Sequence, residues 1–482
     1  SHVGDNKWSD VTVPARMGMR STRFRHLKEE RKNRLKNACF ARRGETIGPY
    51  IQALQRELVR ECPAPAGLGR KEKRLFRLGR RFSILFYGYV LLAIEEGLKA
   101  GVDTIYYFTR EGEFFQRIHE TVRSCSPLGM AVPESEVLEI SRLSCFLASM
   151  GEISTRELMR VWNLYSTQSM RALLHTLDLA PEPFAEVLKK HGIPLAEEIQ
   201  YPWLDQRIIA LLDDDEFISR VSAARNHKRD AILGYLASRG IHPGLGKLVI
   251  ADIGWRGTIQ DDLAYLLGDT EIHGCYLGLV KSPNEQPPNA MKQALGPDEN
   301  VDGPVVGNLI KYVAPLEMLA NSPAGSVLRY VEQDGRIKAE RQIDAAENYV
   351  YERYGCHFQA GVLASAPVIS DWVKRHAITA RELRPHALAL LSNLTQRPPR
   401  ILAEAFFSLS HNETFGLGRY DSKEARFPIA LAVSGLFSRH KAKQFLKYVE
   451  ETGWPQGFLN YYGLNVLSRM YNRYLDAKAA GG

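Results

Sequence analysis

The six cysteines of this chain (Cys39, Cys62, Cys125, Cys145, Cys275 and Cys356) form no CxxC and no paired Cys/His spacing. Neither a zinc framework nor a disulfide scaffold is therefore indicated, and the sequence reads as a cytoplasmic chain with reduced thiols. Long hydrophobic runs are lacking too. The longest largely apolar stretch, Phe82–Ile94, has 13 residues, too few to span a bilayer. No signal-peptide pattern is visible. Walker A, HExxH, GxSxG and GxGxxG motifs are all absent, so nothing suggests a zinc, haem or nicotinamide enzyme.

What is present is the composition of a globular protein: 45% apolar and 24% charged over 482 residues. That length predicts two to four domains. The net charge of +8 is unevenly placed. Arg16–Arg43 and Arg70–Arg81 together hold 18 of the 63 basic residues and 3 of the 55 acidic ones, leaving 45 against 52 elsewhere. A slightly acidic body thus carries a basic collar, suited to anionic lipid, nucleic acid or a phosphorylated glycan, or to plain solvation.

Chemistry concentrates in Lys247–Leu267, KLVIADIGWRGTIQDDLAYLL. Leu248–Ala251 is an unbroken apolar run, as a parallel strand covered on both faces requires. Asp252 ends it, Gly254 and Gly257 punctuate a loop with Trp255, Arg256 and Thr258, and Ile259, Leu263, Leu266 and Leu267 follow at helical spacing. A strand, a glycine loop and a helix N-terminus make a phosphate cradle: N–H groups face the anion and glycines let the backbone approach it. Arg256 and Thr258 add donors matched to phosphate oxygens. A ligand-free strand–helix turn has the same pattern.

The plan recurs. Phe82–Leu98 predicts a buried helix stopped by Gly101. Thr104–Phe108 predicts a strand, followed by the loop Thr109-Arg110-Glu111-Gly112 and a helix carrying Phe114, Phe115, Ile118 and Val122. Val137–Ile140 predicts another strand, ending at Ser141-Arg142-Leu143-Ser144, and Ile272–Val280 a fourth. Polar residues just past three strand ends mark the edge where open α/β sheets bind ligands. Ser154–Gly240 reads as mostly helical, with a capping-box pattern at Ser154 and Glu157 and one long helix over Phe217–Leu236. The DxD of Asp213-Asp214-Asp215 precedes that helix, where capping alone favours acids. Residues 281–302 read as a 22-residue loop, and the chain from about Ile337 onward as helices. The expectation is an α/β fold: a mostly parallel sheet core with a large helical insertion and a helical C-terminal region. Its predicted segments are 1–26, a basic linker at 27–81, a core at 82–335 with its insertion at about 151–240, and 336–482.

Several segments together resemble a family of bacterial surface-polysaccharide proteins, the dual-domain ribofuranosyltransferases. They are HVGDNKWSD at 2–10, TIYYFTREGEFFQRI at 104–118, SRLS at 141–144, DIGWRGTIQ at 252–260 and the stretch from Glu317 through Ser326. In that arrangement a haloacid-dehalogenase-type phosphatase domain precedes a glycan phosphoribosyltransferase domain. The GDxxxxD at the start resembles the last phosphatase motif, which implies Asp5 and Asp10 as Mg²⁺ ligands. The nucleophile motif DxDx[TV] is missing, so residues 1–26 resemble the tail of such a domain. Where the family pattern has Arg-Asp-Gly after the first strand, this chain has Arg110-Glu111-Gly112. The resemblance implies transfer of 5-phosphoribose from phosphoribosyl diphosphate to a sugar hydroxyl of an O antigen or capsule. The acceptor would be lipid-linked, the protein cytoplasmic or peripheral on the inner membrane face, and nucleic acid not a partner.

That donor needs two anion-binding regions. The Gly254–Thr258 loop with Gly257 suits the 5′-phosphate, although Asp252 stands alone where ordinary phosphoribosyltransferases show two adjacent acids. Arg110 and Arg142, past neighbouring strands, are candidates for the diphosphate, and Gly112 and Ser144 beside them are candidate substrate-binding residues. Asp252 or Glu111 would stabilise an oxocarbenium-like charge, and Glu111 or Glu317 would take the acceptor proton. Trp255 is a candidate sugar platform, or core filler. Mg²⁺ is expected on the diphosphate, held mainly by substrate oxygens. Phosphate-ester hydrolysis and a non-catalytic scaffold for glycan assembly are the rival functions.

Overall fold

The computed structural model describes residues 1–24, 47–408, 410–413, 419–422, 427–435 and 437–480. Most of the Arg16–Arg43 part of the basic collar lies outside them. The chain divides into two compact units, Ser1–Glu57 and Leu58–Gly482. In the first, His2–Gly4 pairs in parallel with Ser21–Arg23, and the helical turns Lys7–Arg16 connect them. Asn6 begins those turns by accepting from the amides of Trp8 and Ser9.

In the second unit the core opens with helix α1, Arg70–Ala100. Its first turns are basic and partly solvated. From Phe82 to Ala93 nearly every side chain is buried, as expected of a helix apolar all round. There follow β1 (Thr104–Phe108), α2 (Gly112–Cys125), β2 (Glu134–Leu138) and α3 (Arg142–Ser149). A long helical excursion then contains α4 (Thr155–Trp162) and α5 (Asp215–Ser238). The chain returns to the sheet with β3 (Lys247–Asp252), α6 (Thr258–Leu267), β4 (Glu271–Tyr276) and β5 (Ala290–Ala294).

These five strands form one all-parallel sheet in the order β2-β1-β3-β4-β5. Alternation sends one set of side chains to each face. Tyr106, Phe108, Leu248, Ile250, Ile272 and Tyr276 pack with residues of α3, α5 and α6. On the other face Tyr107 bonds His119 of α2 at 2.9 Å, and the hydroxyl of Tyr89 on α1 donates to the carbonyls of Asp252 and Cys275. The excursion has its own apolar core, built around Leu158, Trp162, Leu173, Phe184 and Phe217. The fold is thus α/β, with a parallel sheet, a helical insertion and a helical C-terminal region in which α9 (Cys356–His376) and α10 (Ala380–Thr395) follow the short helices α7 (Ala314–Ala320) and α8 (Ala345–Val350).

Three expectations need correction. The 281–302 loop contains β5, an edge strand whose AMKQA is only part-buried and so lacks a strand's apolar signature. Helices do not begin at Ile337: β6 (Ser326–Gln333) and β7 (Arg336–Gln342) form an antiparallel hairpin. Asp334 and Gly335, at φ 55° and 69°, supply its tight turn. The strand expected at Val137–Ile140 begins at Glu134 and ends at Leu138, because Ser141 caps α3 and Ile140 belongs to the turn. At Asp213-Asp214-Asp215, Asp214 caps α5 by accepting from the amides of Glu216 and Phe217.

The cap on α3 is reciprocal: Ser141 Oγ accepts from the Ser144 amide at 3.1 Å, Ser144 Oγ accepts from the Ser141 amide at 3.0 Å, and Ser141 Oγ also donates to Val327 O at 2.7 Å. Ser141→Ala should therefore cost about 1–2 kcal/mol, measured as a lower urea midpoint with an unchanged slope.

Candidate functional site

In the strand order 2-1-3-4-5 the chain reverses direction across the sheet between β1 and β3. The connections from their C-terminal ends, through α2 and α6, leave on opposite faces and open a crevice there. Thr109 fastens the crevice wall: its hydroxyl donates to Ile140 O at 3.0 Å and accepts from the Ile140 amide at 3.1 Å.

Past β3 the backbone needs glycine twice. Gly254 has φ 137° and a Cβ there would stand 2.4 Å from Gly278 O; Gly257 has φ 67° and a Cβ would stand 2.7 Å from Tyr276 Oη. Gly257 is the N-cap of α6 and offers no side chain to the helix amides, so their donors and the positive helix end face outward. Gln260, fully buried, ties α6 to the sheet by donating to Ile272 O and Met291 O while accepting from Tyr276. Lys292 of β5 donates to Arg256 O at 3.0 Å and pairs with Asp261 at 2.6 Å. Burial pushes the Asp261 carboxyl up to about 6, with Lys292 opposing.

A cavity of about 280 Å³ lies against this loop. Arg142, Leu164, Tyr165, Asp252, Gly254, Trp255, Arg256, Thr258, Ile259 and Glu317 line it. Glu317 arrives on α7 and accepts the Trp255 indole N–H at 2.9 Å. Asp252 is the buried acid of the group. Burial first, then the charge of Glu111, with Glu317 adding, pushes its carboxyl up to about 8, against the Ile253 amide and Arg142. It is therefore largely protonated at neutral pH.

Arg110 does not line this cavity. Its guanidinium is held by Glu347 of α8, and its Nε donates to Glu111 at 3.1 Å. A small cleft joins Arg110, Glu317, Asn321 and Glu347. Burial works against the Arg110 cation, but Glu111, Glu347 and Glu317 outweigh it and hold its pKa above the usual value. Glu111 is buried beside it. Gly112 and Ser144 are also outside the cavity lining. Gly112 lies under β1, where a Cβ would meet the Tyr107 carbonyl carbon at 2.8 Å, and Ser144 is engaged in the α3 cap.

Asp5 and Asp10 belong to the first unit. Asp10 accepts from the Asn6 amide at 2.8 Å, from Ser9 and from His2, and these bonds, the Asn6 amide first, hold its carboxyl below the ordinary range. Among the described residues no group of three or more His, Cys, Asp or Glu side chains is placed to hold a metal.

Sequence reasoning missed Glu347 and Lys292. Neither sits in a motif; both reach the site through pairings that only the fold creates. The structure thus defines a doubly wound α/β protein with a polar crevice at its switch point. No protein-family model matches the chain, and no curated protein is significantly similar to it.

Proposed function

We propose that the chain is a glycan phosphoribosyltransferase, moving 5-phosphoribose from phosphoribosyl diphosphate to a sugar hydroxyl of a bacterial surface polysaccharide. One observation carries the reading: an uncapped helix N-terminus, two arginines and a buried carboxyl whose proton is held to about pH 8 share one cavity at the sheet's switch point. On this reading residues 1–26 are the tail of a phosphatase domain.

The 5′-phosphate sits on the α6 amides with Thr258 and Arg256, and the diphosphate beside Arg142. As the ribose C1–O bond breaks, its electron pair leaves with the diphosphate, and Arg142 stabilises that charge. Glu317, on the cavity wall, stabilises the positive charge growing on the ribosyl ring, with Glu111 adding negative potential from outside the lining. The acceptor oxygen bonds C1 and its proton passes to Asp252, whose carboxylate is basic enough at about pH 8 to take it. Mg²⁺ would come with the donor and neutralise diphosphate charge; Glu317 would be its protein ligand, since its Oε1 takes Trp255 and its Oε2 takes no hydrogen bond among the described residues.

Thermal shift tests the reading, because a ligand of the folded state raises the melting temperature by mass action. Phosphoribosyl diphosphate with Mg²⁺ should raise it, and Arg256→Ala should weaken the apparent affinity about tenfold, the loss of one charge-assisted contact. A shift with nucleotide sugars and none with phosphoribosyl diphosphate would replace this reading with conventional glycosyl transfer.

A further inference from the structure

The helix Asn465–Ala480 is half buried and half exposed in a particular way. Ser468, Tyr471, Asn472 and Leu475 form its inward side. Its outward side is not the polar surface such a helix ordinarily shows to water. Val466 is 68% exposed, Leu467 40%, Met470 60% and Tyr474 51%, and Ala477 lies among them. At 3.6 residues per turn these five cover roughly 100° of the circumference. Arg469 and Arg473 flank the strip on one side and Lys478 on the other, and none of the three has an ion-pair partner among the described residues. The helix's acid, Asp476, is set aside, accepting from Asn308 at 3.1 Å.

An apolar strip edged by unpaired cations is what a bilayer surface with anionic headgroups recognises. The strip enters the acyl boundary, and the arginines and lysine stay at headgroup level with their stems along it. A protein partner would be expected to meet such a strip with acids to answer three cations and a matched apolar face. A bilayer needs neither, because lipids rearrange around the side chains.

We infer that this helix docks the protein on an anionic lipid surface, lying in the interface with Val466, Met470 and Tyr474 inserted. No helix among the described residues is long and apolar enough to cross a membrane, so the contact is peripheral. The inward side of the same helix, through Leu475 and Ala479, lines a cavity of about 820 Å³ that shares Trp255 and Arg256 with the candidate site. Docking would thus bring the crevice region close to the lipid surface. The inference rests on the exposed face and not on the transfer reaction.

Co-sedimentation of the full chain with vesicles tests it. Binding is expected to vesicles of phosphatidylcholine plus phosphatidylglycerol and to be much weaker to phosphatidylcholine alone. Val466→Glu with Met470→Glu, both at exposed positions that the fold does not need, should abolish binding at every salt concentration. Arg469→Ala with Arg473→Ala should lower the partition coefficient by about fivefold per charge and flatten its salt dependence. Circular dichroism and the thermal shift with phosphoribosyl diphosphate should be unchanged in all variants, which separates this question from that of the donor site. Failure of the parent chain to bind would overturn the inference. So would undiminished binding by the double Glu variant, which would move the contact to another surface such as the basic collar. Dimerisation of the parent chain without lipid, lost in that variant, would replace the bilayer with a second copy of the chain.

Discussion

Asp252→Asn is expected to silence the proposed transfer and, in the same molecule, to raise the melting temperature at mildly alkaline pH. Both effects come from one cause. Asp252 is buried at the end of β3, with Glu111 and Glu317 adding negative charge around it, and its carboxyl is pushed up to about 8. For a base that must be ionised, the rate rises with pH and levels off above about 8. Removing the proposed base should lower kcat about 10²–10⁴-fold and erase that rising limb. Folding responds in the opposite sense. Between the ordinary carboxylate range and about pH 8 the folded chain keeps a proton that the unfolded chain has lost, so stability falls as pH rises through this window. Asparagine carries no charge to bury, and the variant should outlast the parent by an amount that grows with pH, with a ceiling of roughly 6 kcal/mol. Melting curves at pH 5 and pH 8 check this. A variant that keeps the rising limb would move the base elsewhere, with Glu317 next in line.

The parts of the molecule that sequence could show are those governed by local pattern. β1 and β3 are covered on both faces, so each reads as an apolar run, and the candidate chemistry follows within a few residues of a strand end. That is why Asp252, Trp255, Arg256, Thr258 and Arg142 were all legible as candidates and all line one cavity. β5 was hidden because an edge strand needs only partial burial, and Met291, Lys292 and Gln293 carry no strand signature. The β6–β7 hairpin did announce itself: Asp334-Gly335 is a hairpin turn pair. The charges of RIKAERQ sit at spacings that also suit a helix, and that pattern masked it. Arg110 looked like a phosphate ligand because it follows a strand. Its partner Glu347 is 237 residues away, and no local rule pairs them. Ser144 and Gly112 show the converse, since a hydroxyl or a glycine near a strand end serves the backbone as readily as a ligand.

Gly79→Ala and Gly361→Ala are each expected to cost more than about 3 kcal/mol, placing them at the severe end of single substitutions. The two glycines face one another across the crossing of α1 and α9. A Cβ on Gly79 would stand 1.8 Å from Phe358 O, and one on Gly361 would stand 2.0 Å from Phe76 O. In each case the obstacle is helix backbone, which no rotamer change can move aside, so the helices must separate. Separation is costly because the crossing is packed: Phe358 lies against Phe82 and Phe86, with ring centroids 6.3 Å and 5.8 Å apart. The double variant is the sharper test. Once the helices have parted for the first methyl, the second meets an already widened gap, so the combined loss in urea unfolding should fall short of the two single losses added together. Full additivity would mean that each glycine acts alone and that the crossing does not move as a unit. The damage should also reach the site. α1 carries Tyr89, whose hydroxyl holds the carbonyl of Asp252 at 2.8 Å. A helix that shifts to admit a methyl at Gly79 therefore pulls on the strand end that positions the buried carboxyl, and Asp252 should lose part of its raised pKa as water enters around it.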